Sequence, residues 1–106
     1  MNKLINDINY HRYNDDGFLA LAFNKGIFRK DLFNDLIKLI DKLKEFYKGK
    51  PDLPRNLISD LFGINALLQA ILEDVSLKKR DFNISDSELF DYTNDLYASI
   101  LEFFND

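Results

Sequence analysis

From Phe28 to Lys48 the apolar residues line up on one helical face: Leu32, Phe33, Leu36, Leu39, Ile40, Leu43, Phe46 and Tyr47 recur at steps of three and four. This spacing specifies a long amphipathic helix, which needs other apolar faces to pack against. The rest of the chain is suited to supply them as helices. One valine (Val75) and one threonine (Thr93) stand against 17 leucines, so isoleucine provides nearly all the β-branched side chains that strands prefer. Ten phenylalanines and five tyrosines add ample area for a core and argue against disorder. A length of 106 residues suits a single domain, 1–106. The predicted class is therefore all-α, a compact bundle of four to five helices.

Other segments fit this class. Leu4, Ile5, Ile8 and His11 predict a short helix over about Lys3 to Tyr13, closed by a turn at Asn14-Asp15-Asp16-Gly17. The run Phe18 to Phe23 reads as buried helical turns ended by Gly26, with a buried strand as the alternative. Gly49 and Pro51 stop the long helix, and Pro54 suits the first turn of the next. That next helix carries Leu57, Ile58, Leu61, Phe62, Ile64, Leu68, Ile71, Leu72 and Val75. Gly63 lies in its interior at a cost of about 1 kcal/mol relative to alanine, which predicts a kink, a break or a close helix contact. A last helix should start at Ser85, where Ser85 and Glu88 match a capping box and Ile84 and Leu89 a hydrophobic staple. It should run to about Phe104, with Leu89, Phe90, Thr93, Leu96, Tyr97, Ile100, Leu101, Phe103 and Phe104 in an apolar arc of about 160°.

The opposite side of that last helix is acidic. Glu88, Asp91, Asp95, Glu102 and Asp106 project within an arc of about 60°, with Tyr92 and Ser99 beside them. Residues 81–106 hold seven acids and no Lys or Arg, whereas residues 1–80 hold 14 bases and 11 acids. Like charges three and four residues apart weaken a helix by a few tenths of a kcal/mol per pair, roughly, so a helix shaped for stability alone would intersperse lysines. One reading is a face that meets a basic surface on another protein, where opposite charge speeds encounter and fixes orientation. Its candidate binding residues are Glu88, Asp91, Tyr92, Asp95, Ser99 and Glu102, with Tyr92 as an aromatic anchor. The plainer reading is a solvated face, or one beside this chain's own Lys38, Lys42, Lys44 and Lys48.

Catalytic and metal chemistry find little footing. Without cysteine there are no disulfides or thiolate metal sites. Tyr10-His11-Arg12-Tyr13 holds the single histidine, with no acid/base partner at a recognisable spacing, and the Arg-then-His order of HEPN-type helical nucleases is absent. His11 is expected to be structural. Asp81-x-Asn83-x-Ser85 opens like a calcium loop but has Asp86 where glycine is needed and Tyr92 where a bidentate glutamate is needed. No phosphate-binding glycine loop or nucleophile elbow is present. No catalytic residue, metal or cofactor is expected. The Lys78-Lys79-Arg80 cluster reads as a loop that offsets a helix dipole, or as an anion or partner contact. A net charge of −4 disfavours direct nucleic-acid binding. The polar opening MNKLINDINYHRYNDD and the lack of any long apolar run predict a soluble, cytoplasmic chain, complete from Met1, with no membrane contact.

A small, acidic, cysteine-free helical domain with an acidic C-terminal helix, Ser85 to Phe104, resembles the bacterial immunity proteins that neutralise contact-dependent growth inhibition and colicin-type nuclease toxins. It is similar, to the same degree, to the four-helix immunity proteins of pediocin-like bacteriocins. The first resemblance implies a cytoplasmic protein that binds a cognate toxin domain and blocks its active site, often one that cleaves tRNA or another RNA. The chain is expected to be non-enzymatic, a monomer or weak dimer, with a basic toxin domain as its partner. The alternative is a helical interaction or adaptor protein of phage or mobile-element origin, for anti-defence or subunit assembly, signalled by an exposed apolar patch around Phe18 to Phe28.

Overall fold

The computed structural model describes residues 2–50 and 55–104. These form five α-helices, α1 (Asn2–Tyr13), α2 (Phe18–Lys25), α3 (Lys30–Tyr47), α4 (Arg55–Ser76) and α5 (Asp86–Leu101), the last tightening into a 3-10 turn at Glu102–Phe104. No strand occurs among the described residues, so the all-α class holds. The expectations for Pro51, Pro54, Asp106 and the side chain of Phe104 lie outside the described residues.

The segment from Phe18 is helical, and a glycine stands at each end of it. Gly17 precedes α2 in extended backbone, so close to α1 that a Cβ there would lie 2.2 Å from the Tyr10 carbonyl oxygen. Gly26 follows in the left-handed region at φ 66°, where its amide and that of Ile27 both donate to the Leu21 carbonyl. In α3 the predicted stripe turns inward through Phe33, Leu36, Leu39, Ile40 and Leu43. Phe46 departs from it: its ring is exposed, with the Lys50 ammonium 3.5 Å from the ring centroid.

The α4 helix runs through Gly63 without a break, and close contact is what the glycine permits. The Arg12 guanidinium of α1 lies over that position, 2.7–2.9 Å from where a Cβ would be. There it pairs with Asp60 of α4 at 2.5 Å, and the Tyr13 hydroxyl donates to the same carboxylate oxygen at 3.1 Å. After α4, Lys78 takes the left-handed conformation at φ 58°, and the Lys79 amide donates back to the Asp74 carbonyl at 2.8 Å.

Within the basic cluster, Arg80 serves another helix. It donates to the carbonyls of Ala22 and Phe23 at the end of α2, and its guanidinium lies 5.1 Å from the centroid of the Phe23 ring. A cation near the last carbonyls of a helix offsets its dipole, as the sequence suggested, but the helix is α2 and not the one preceding the cluster.

The helices share one core. Its aromatic part joins Phe18, Phe28 and Phe33, with centroids 5.3–5.7 Å apart in edge-on and tilted pairs. The α5 helix closes the bundle, packing mainly on α4 and also on α3. Leu89, Thr93, Leu96 and Ile100 face inward, and the Thr93 hydroxyl is satisfied by the Leu89 carbonyl at 2.7 Å.

Candidate protein-interaction site

The helix α5 begins at Asp86, one residue after the predicted start, and the predicted capping box is half formed. Ser85 is the N-cap, and its hydroxyl oxygen accepts the Glu88 amide at 3.2 Å. The Glu88 carboxylate turns away toward Lys30 of α3, 3.4 Å distant. Leu89 lies in the core, and Ile84 is half-buried against the core cluster. The loop before the cap is fixed as well, because the Asn83 side chain hydrogen-bonds the backbone of Phe28. The start of α5 is therefore held by the α2–α3 corner.

The other end is held by charge. Lys44 of α3 contacts the Glu102 carboxylate and lies 3.0 Å from Asp41. Burial pulls the Lys44 ammonium toward a lower pKa, but hydrogen bonds and charge from Glu102 and Asp41 together outweigh it and leave the pKa above the usual lysine value. Of the four lysines suggested as internal neutralisers, Lys44 alone pairs with α5; Lys30, not anticipated, is the second.

The acidic stripe is thus divided. Glu88 and Glu102 are tied to α3, whereas Asp91 and Asp95 between them are exposed and, among the described residues, have no hydrogen-bond or ion-pair partner. Ser99 is half-buried on one flank. Tyr92, expected as an anchor, has its ring among the core aromatics, 4.7 Å from Phe28 and 4.9 Å from Phe33 by centroid. What it leaves outside is an edge, because the corner between α2 and α3 brings two phenylalanines to that side of α5.

The outward aromatics are on the other flank. Phe90 is 54 % exposed and Tyr97 is 42 % exposed, although both belong to the apolar arc expected to be buried. Phe90 borders a recess of about 250 Å³ with Leu72 and Ser76 of α4 and with Asp86 and Ser87. An arc of about 160° is wider than the face that α5 packs against α4 and α3, so its margin is only partly covered. That margin was the one signal in the sequence that could have identified these two residues.

His11 is buried, with 2 % of its surface exposed, and its Nε2 lies 2.9 Å from an Asp35 carboxylate oxygen of α3. The carboxylate partner that short-range spacing did not supply comes from 24 residues along the chain. The pair joins α1 to α3. Among the described residues, no group of three or more His, Asp or Glu is placed to hold a metal ion, and no helix is long and apolar enough to cross a membrane. Comparisons with family models, with curated proteins and with solved structures give no match to this chain.

Proposed function

We propose that this chain is a non-enzymatic binding protein, an immunity protein of the bacterial cytoplasm that neutralises a basic toxin domain, in first place a nuclease. The observation that carries the reading is the pair Asp91 and Asp95, exposed on a helix tied to its neighbours at both ends and, among the described residues, without an ion-pair or hydrogen-bond partner. Two unpaired like charges four residues apart cost a free helix a little stability. A cationic surface on a partner reverses that cost and accelerates association. Docking there covers the partner's nucleic-acid groove and excludes its substrate.

Co-expression with the products of neighbouring genes tests this reading. Rescue of host viability, with a co-purifying complex that weakens as salt rises and with Asp91→Lys plus Asp95→Lys, is the expected result. A complex indifferent to salt and to both substitutions removes the acidic face from the mechanism. Absence of toxicity and of any complex discards the inhibitor reading.

One observation favours an adaptor instead. Tyr13, Phe23 and Leu67 are exposed around a second recess of about 210 Å³ where α1, α2 and α4 meet, and Ile27 is exposed nearby in sequence. Partner binding lost on Phe23→Ser and retained in the double lysine variant would place function on that side.

A further inference from the structure

The outward side of α5 carries a second packing row besides the one that fills the core. Phe90, Asn94, Tyr97 and Leu101 follow one another at steps of four, three and four, the spacing by which one helix meets another along a seam. Phe90, Asn94 and Tyr97 are exposed and Leu101 is half-buried, so the bundle leaves part of this row uncovered. Phe90 and Tyr97 stand two turns apart, roughly 10 Å along the axis, matching residues i and i+7 of a facing helix. Asn94 between them is the type of polar seam residue that fixes register. Next to this row, one residue on at each step, lie Asp91, Asp95, Ala98 and Glu102, of which Asp91 and Asp95 are unpaired.

Charge selects the occupant. Nucleic acid and anionic lipid are repelled by the flanking acids. A second copy joined through this row by a two-fold axis would set the same acidic flanks of both copies close together. A helix with apolar residues on the 4-3-4 spacing and Lys or Arg beside them satisfies both rows at once.

We infer that the row Phe90, Asn94, Tyr97 and Leu101 docks an amphipathic helix of the partner protein, with Phe90 and Tyr97 as apolar anchors and with partner Lys or Arg side chains pairing to Asp91 and Asp95. This rests on the acidic-face reading and adds to it the shape of the partner element and the residues that hold it. The acids set the rate of encounter, and the two aromatic rings set the lifetime of the complex.

The test uses the full chain and two synthetic helical peptides with leucine at 4-3-4 spacing, one flanked by lysine and arginine and the other by glutamate. Binding is followed by amide chemical shifts and by fluorescence anisotropy. The basic peptide should perturb the amides of residues 86–101 and the acidic one should not. Phe90→Ser with Tyr97→Ser should weaken the basic peptide by at least about tenfold, mainly through faster dissociation. Phe46→Ser, which removes another exposed aromatic, should leave it unchanged. Thermal melts confirm that the variants fold.

Loss of binding with Asp91→Lys plus Asp95→Lys, but none with the serine pair, overturns the seam while sparing the acidic-face reading. Binding at another surface, or no binding of the basic peptide, also overturns the seam, whereas co-expression decides the acidic-face reading separately. A dimer of the free protein that the serine pair dissolves assigns the row to self-association and overturns the inference.

Discussion

The side-chain amide of Asn83 engages both backbone polar groups of Phe28: its Oδ1 accepts the Phe28 amide at 2.6 Å, and its Nδ2 donates to the Phe28 carbonyl at 2.9 Å. A single side chain thereby does for the α2–α3 corner what a neighbouring strand does in a sheet. It also places Phe28 where the ring meets Tyr92 of α5, so that corner and final helix are positioned together. Asn83→Ala leaves two backbone groups without their partner and should cost about 1–3 kcal/mol. Asn83→Asp keeps the acceptor and should lose less. Urea denaturation of the three proteins checks the order.

Gly63 and Arg12 should show strong non-additivity. Glycine to alanine in a helix interior ordinarily adds about 1 kcal/mol of stability. Here the new methyl meets the Arg12 guanidinium, which Asp60 holds in place, so Gly63→Ala alone should add little or be destabilising. With Arg12→Ala already present, the same change should recover the ordinary gain. A double-mutant cycle by thermal or urea unfolding measures the coupling, and equal effects in both backgrounds contradict the contact.

Lys44 gives the fold an alkaline dependence of defined sign. Its folded pKa lies above the ordinary lysine value of 10.5, so its contribution is fully present below that value. The contribution is lost as pH rises through the higher, folded-state value. Unfolding free energy measured from neutral to strongly alkaline pH should therefore fall more steeply for the native chain than for Lys44→Met. Parallel curves count against the Lys44 pairing with Glu102 and Asp41.

The unpaired acids of α5 should cost the isolated protein stability. Asp95→Lys replaces repulsion from Asp91 with an acid-before-base pair four residues apart, and should raise stability by about 0.5 kcal/mol. The effect should shrink in high salt. If Asp95→Lys destabilises, a partner for Asp95 within this chain is implied, against the arrangement described.

Much of this architecture is legible from local pattern. The stripe from Leu32 to Leu43 and the Ser85 cap are short-range signals, decided within one or two helical turns. Gly63 marked a close approach because a helical glycine has a cost that some contact must offset, but the contacting residue is 51 positions away and no spacing rule identifies it. The outward face of α5 is legible in its charge but not in its aromatics. Tyr92 lies at the edge of the acidic arc and Phe90 and Tyr97 at the margin of the apolar one, so the helical projection alone gives each the opposite environment. The packing of α5 against the Phe28–Phe33 corner on one side and α4 on the other reverses them. Arg80 is similar: its role at the end of α2 depends on a loop returning 57 residues later.

The two rows of α5 interleave along one helix yet answer to different demands. Leu89, Thr93, Leu96 and Ile100 are constrained by the interior, whereas Phe90 and Tyr97 are partly exposed, and Asp91 and Asp95 have no hydrogen-bond or ion-pair partner among the described residues. Descendants of this gene can therefore exchange the outward four residues at smaller cost to the fold than the inward four. Among diverging lineages, variation should accumulate first in that outward register, and a substitution there should leave the helix in place.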